Sequence, residues 1–240
     1  MTTARLAPPP RPTSTPPLWP VTQELAALRI AYSDIGTISA SLEEEDSWRP
    51  TRCTGWVVRD VLVNLLGDAQ RTLVALATPA AGPADRDSVS YWADASLSAD
   101  PGFRELRALR TVASTWELDD LVRTFVDTTR AVVTLATRTP PDALVATAQG
   151  HVLRSVDLVV TATVKAAVHH LDLLLDLRRP GPRPEPLALV RRTLDALLGQ
   201  PAPEDWPDDR WALVGTGRVL PGGGERRALG QAAARLPLLG

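Results

Sequence analysis

Residues 156–177, VDLVVTATVKAAVHHLDLLLDL, form a long apolar run that holds the chain's only lysine, Lys165. A run of this length and pattern predicts a helix from about Ser155 to Leu177, with Ser155 as its cap. Residues four apart then share a face, so Lys165 and His169 lie one above the other, with Thr161 a turn before and Asp172 a turn after. A buried ammonium is costly unless it is paired or neutralised. Every other basic side chain here is an arginine, and an amine can lose its proton where a guanidinium effectively cannot. The placement therefore marks Lys165 as a site residue. The alternative is a lysine whose stem packs while its amine reaches water.

With 240 residues the chain is long enough for one large or two small domains with a sizeable core. The net charge is −2 and the arginines are spread over the whole length, which gives nucleic-acid binding little support. No apolar run reaches the roughly 20 residues that span a bilayer. The N-terminal segment is rich in proline and threonine and has no apolar signal core, so a cytoplasmic protein is expected. A single cysteine, Cys53, allows no internal disulfide. The assembly expected is a monomer or homodimer.

Residues 1–19 read as a disordered, proline-rich tail. Helical spacing follows over 21–42 and again over 57–77, with Thr54 as candidate cap for the second helix. Residues 79–101 read as loop around a short helical piece near Tyr91. A long helical region over 103–136 is interrupted near Ser114 and ends at Thr139-Pro-Pro-Asp142. Residues 144–152 read as a short strand or extended excursion. After a proline-rich connection come helices over 187–198 and 225–236. The fold class expected is mainly α: a four-helix bundle over 20–180 with a smaller α or α+β C-terminal extension over 181–240 packed on it.

The second helix carries its own polar break. Asn64 and Asp68 are four apart on one face, and bundle sites are built from inward-facing side chains on facing helices. This pair could meet Lys165, His169 and Asp172 across the core; the alternative is a solvated seam. His170 points about 100° away from His169 on an ideal helix and reads as structural. His151, in the Gln149-Gly150-His151 loop, caps a helix or lines the pocket mouth. Cys53 lacks a visible base nearby and reads as structural.

The segment Thr51-Arg-Cys-Thr-Gly-Trp-Val-Val-Arg-Asp60 followed by Val-Leu-Val-Asn-Leu-Leu-Gly-Asp68 resembles the hallmark of the mycothiol-dependent maleylpyruvate isomerase family, part of the DinB-like superfamily of four-helix bundles. Residues 147–153 with 164–173, and the tail segments 215–218 and 236–240, resemble it too. The resemblance implies a divalent metal, often zinc, held by a histidine on the second helix and by a glutamate and a histidine four apart on the later helix. Carried over, these positions are Asn64, Lys165 and His169. Two of the three depart from the pattern: an amide is a poor zinc ligand and an ammonium is not one at all.

On this reading the metal site is lost, no cofactor is used, and Lys165 supplies the missing positive charge with Asp68 and Asp172 as counter-ions. The expected function is a metal-independent enzyme that isomerises, cyclises or eliminates from a carbonyl-bearing small molecule in specialised metabolite biosynthesis. Lys165, His169 and Asn64 would be catalytic. Asp68, Asp172, Thr161 and His151 would bind substrate. Lys165 would act either as a held ammonium or, with a depressed pKa, as base or imine-forming nucleophile. Two alternatives stand beside this: a zinc- and mycothiol-dependent isomerase or S-transferase as the resemblance implies, and a non-catalytic small-molecule-binding protein.

Overall fold

The computed structural model describes residues 21–92 and 103–239. The expected tail over 1–19 and the last part, 93–101, of the expected loop over 79–101 lie outside them. Among the described residues the architecture is mainly helical with one two-stranded sheet. In chain order the helices are α1 (Gln23–Ser39), α2 (Val58–Leu76), α3 (Phe103–Ser114), α4 (Leu118–Arg138), α5 (Ser155–Leu173), α6 (Pro184–Leu198), α7 (Asp208–Gly215) and α8 (Gly223–Leu229). Strands β1 (Leu144–Ala146) and β2 (Val152–Arg154) form an antiparallel hairpin just before α5, with Val145 opposite Leu153.

Helices α1, α2, α4 and α5 pack on one another as the four-helix bundle. Each buries a stripe set by its sequence spacing. In α1 this is Leu25, Leu28, Ala31, Tyr32 and Ile35; in α2 it is Val58, Val61, Leu62, Leu65 and Ala69. Thr22 caps α1, its hydroxyl accepting from the Leu25 N–H at 3.2 Å. Helix α5 is buried on nearly all sides, and it belongs to two hydrophobic clusters at once. Leu158, Val159, Ala162 and Ala166 face the bundle, whereas Val160, Val164, Ala167, Val168 and Leu171 face a second cluster with α6 and α7. A helix apolar all round belongs in a core, which explains why its few polar residues need partners.

The start of α2 differs from the expectation. Thr54 is not its cap. Val57 is the N-cap, in extended conformation, and the Asp60 carboxylate accepts from its N–H at 2.9 Å. Asp60 is fully buried and paired with Arg110 of α3. A carboxylate in the first helical turn satisfies an orphan donor and suits the helix dipole. The residue before α5 is likewise Arg154 rather than Ser155; Ser155 is the first helical residue and its hydroxyl donates to the Pro140 carbonyl at 2.5 Å. The extended excursion over 144–152 is a hairpin turning at Gly150, whose φ is +87°. Among the described residues no helix is long and apolar enough to cross a membrane.

Candidate functional site

Lys165 and His169 are the polar residues of α5 that stay partly open, at 25% and 15% side-chain exposure. The Lys165 ammonium donates to Asp68 Oδ1 on α2 at 3.1 Å, and Arg71 Nη2 donates to the same oxygen at 2.9 Å. The Lys165 nitrogen also lies over the faces of Tyr91 and Trp92, 5.6 and 5.8 Å from their centroids. Burial disfavours the ammonium, but the Asp68 carboxylate outweighs it, and the Lys165 pKa is raised above its ordinary value. Of the two roles read from the sequence, held ammonium and depressed base, this arrangement supports the first. Asp68 is correspondingly lowered: burial pushes it up, and Lys165 and Arg71 bring it down further than that.

A cleft opens here, lined by Asp68, Arg71, Tyr91, Gln149, Thr161 and Lys165 among others. Two cations share one carboxylate at its wall, so the local charge is net positive. Thr161 borders the cleft, but its hydroxyl donates back to the Leu158 carbonyl at 2.8 Å. His151 is not among the lining residues; its ring approaches Asp85 at 3.7 Å, while Thr147, Ala148 and Gln149 of the same turn face the cleft.

One turn beyond Lys165, His169 joins two sets of residues. Its Nε2 faces Asn64 Nδ2 on α2 at 3.2 Å, and its Nδ1 faces Asp172 Oδ2 at 3.0 Å. An ionised carboxylate only accepts, so Nδ1 carries the hydrogen, and Nε2 takes the amide N–H of Asn64. The expected meeting of Asn64 and His169 across the bundle is found. Asp172, however, is not a counter-ion of Lys165. It lies three residues beyond His169 and turns to a different set of partners.

That set centres on the Asp172 carboxylate, which is fully buried. Arg218, from the turn after α7, donates through Nε to Oδ1 at 3.1 Å and through Nη2 to Oδ2 at 3.2 Å. The Cys53 thiol donates to Oδ2 at 3.1 Å. Burial alone would push the Asp172 carboxyl up; the hydrogen bond from His169 and the Arg218 guanidinium overcome it and hold the group at about 2. Burial, aided by the Asp172 charge, pushes the Cys53 thiol up to about 12. Cys53 reaches this place because the Arg52 N–H donates to the Asp172 carbonyl at 3.1 Å, drawing the 51–57 loop onto the end of α5. Arg218 reaches it because Gly217 adopts φ +72°, a left-handed turn open to glycine. Residues 215–218 stand out in the sequence, but no periodicity there pairs Arg218 with Asp172.

Fit to a divalent metal divides into two places. At Asn64 and Lys165 it fails, because the amide is a poor donor and the ammonium is ion-paired. At Cys53, His169 and Asp172 it succeeds on donor chemistry: one sulfur, one ring nitrogen and one carboxylate oxygen all lie within 4.8 Å of one another. Thiolate, imidazole and carboxylate are the ligand types zinc takes.

A family model described as mycothiol maleylpyruvate isomerase N-terminal domain matches residues 28–174. Two solved structures are similar, one of a mycothiol-dependent maleylpyruvate isomerase and one of a histidine-to-alanine mutant of such an enzyme. Their TM-scores are 0.51 and 0.52, each at 15% identity, covering 75% of this chain and 70% of the other. At that identity they show the fold. No curated protein sequence matches the chain. The family match, together with the Cys53–His169–Asp172 donor set, overturns the expectation that the chain uses no cofactor. That expectation considered only positions 64, 165 and 169, and it read Cys53 as structural, with no visible base nearby.

Proposed function

We propose, from the premise that the chain belongs to the mycothiol maleylpyruvate isomerase N-terminal domain family, that it is an isomerase-type enzyme. Its substrate is a small carbonyl acid, with mycothiol as thiol partner and a divalent ion as cofactor. The observation that carries this reading is the polar turn of α5. Lys165 opens on the cleft, and His169 behind it touches both Asn64 and the Asp172–Cys53 pair.

Cys53, His169 and Asp172 would hold the ion. Bound there, it would supply Lewis acidity toward an oxygen or sulfur ligand. The protein's own groups do the rest. Lys165 and Arg71 present fixed positive charge to a substrate carboxylate or a developing enolate, a stabilisation worth most where water is excluded. Tyr91 and Trp92 present their ring faces to the ammonium and limit its hydration. Asn64 fixes the His169 ring through Nε2. Without the ion, Asp172 holds the ring through Nδ1 and is itself held by Arg218.

The test is conversion of maleylpyruvate by the purified full chain with and without mycothiol, followed by absorbance. The reading predicts conversion that depends on the thiol and collapses in His169→Ala while helicity is retained. Thiol-independent conversion, or none under any condition, contradicts it.

A further inference from the structure

We infer that Arg218 is a resident competitor for the divalent ion, so that loading Cys53, His169 and Asp172 requires its guanidinium to leave the Asp172 carboxylate. This rests on the assignment of the ion to those three residues. As the structure stands, the Arg218 guanidinium engages both Asp172 oxygens, at 3.1 and 3.2 Å, and its Nη2 lies 3.8 Å from Cys53 Sγ. It therefore occupies lone pairs on two of the three donors an ion would use. Asp172 Oδ2 already accepts from His169, Cys53 and Arg218.

Charge balance points the same way. In the arrangement seen, one guanidinium faces one carboxylate beside a thiol and an imidazole, so the cluster is neutral. A divalent ion with the Cys53 thiolate and the Asp172 carboxylate is also neutral. In that exchange the thiol loses its proton to solvent, the His169 hydrogen shifts from Nδ1 to Nε2 as the Asn64 amide turns its oxygen to accept it, and the guanidinium keeps its own protons. Retaining Arg218 beside the ion would leave one uncompensated positive charge in a buried place, which is costly. The Arg218 side chain is 13% exposed and its Nη1 also donates to the Thr216 carbonyl of its own turn at 3.0 Å, so its departure from Asp172 would disturb that turn. The turn is the segment between α7 and α8, held by the Gly217 N–H donating to the Val214 carbonyl and the Val219 N–H donating to the Leu213 carbonyl, each at 3.1 Å. Metal loading is thus coupled to the seating of the C-terminal extension on the bundle.

The experiment measures zinc affinity by competition with a chromophoric chelator in the full chain, using Zn²⁺ alone as probe. Arg218→Ala and Arg218→Gln are expected to bind zinc about tenfold or more tightly than the parent, and Cys53→Ser more weakly. A merely structural arginine would leave affinity unchanged or lower it when removed, so tightening is specific to competition. Equal or weaker binding in both Arg218 variants, with Cys53→Ser still weakened, overturns the inference and leaves the ligand assignment standing. Absence of zinc binding in every variant overturns both. A second readout needs no mutation. Amide exchange over residues 213–219 should rise at least several-fold when the parent protein is saturated with zinc, and unchanged exchange in the zinc-bound protein contradicts the coupling.

Discussion

The ammonium of Lys165 on α5 and the carboxylate of Asp68 on α2 meet at 3.1 Å, ninety-seven residues apart in sequence. Both are largely buried, at 25% and 12% side-chain exposure. Lys165→Met leaves Asp68 with Arg71 as its remaining cation, so a loss of roughly 1–3 kcal/mol is expected. This is below the range for breaking a fully buried pair, because water reaches both groups. Asp68→Asn in the Lys165→Met background should recover part of that loss. Urea unfolding of the two single variants and the double variant checks it, and additive losses would show that the pair does not interact.

The same pair sets a pH dependence with two limbs. The Asp68 pKa is lowered in the folded state, so its contribution is present above the ordinary carboxylate value and fades as pH falls below it. The Lys165 pKa is raised, so its contribution is present below the ordinary amine value and fades as pH rises through the higher folded value. Thermal melts should therefore show a pair contribution that is flat across neutral pH, begins to fade only below about pH 4 and, on the alkaline side, only above about pH 10.5. Subtracting the Lys165→Met curve from the parent isolates it, and a difference that varies between pH 6 and 8 would contradict the assignment.

Cys53 should be a slow nucleophile in the metal-free folded protein. With its thiol pushed up to about 12, little thiolate exists at pH 8. Iodoacetamide labelling followed by mass is expected to be slow when folded and fast in denaturant. Equally rapid labelling in both states would show that the Asp172 contact does not hold in solution.

Asp60 offers a structural control away from the cleft. It closes the start of α2 through the Val57 N–H and pairs with Arg110 while fully buried. Asp60→Ala removes a cap and a buried acceptor together and should cost roughly 2–4 kcal/mol. Chemical denaturation measures it. A loss below 0.5 kcal/mol, as for an exposed position, would mean that α2 is not anchored there.

The bundle and much of its site were legible because periodicity carries them. The spacing of Asn64 and Asp68 on α2, and of Lys165 and His169 on α5, places each pair on one face, and apolar neighbours turn both faces inward. Partner choice was not legible. Asp172 shares the general face of Lys165 but lies two turns away, so the lysine reaches Asp68 while Asp172 serves His169. Arg218 and Cys53 come from a turn and a loop, where no period announces direction; a backbone bond from Arg52 and a left-handed Gly217 bring them in. Considering metal fit only at positions 64, 165 and 169 therefore left out the candidate donors Cys53 and Asp172, which lie on the other side of the same imidazole.

The most direct test is the metal content of protein purified without chelator and re-equilibrated with zinc. The account predicts about one equivalent per chain in the parent, retained in Asn64→Ala and Lys165→Met and lost in Cys53→Ser and His169→Ala. Full zinc occupancy in Cys53→Ser, or its loss in Lys165→Met, would contradict it.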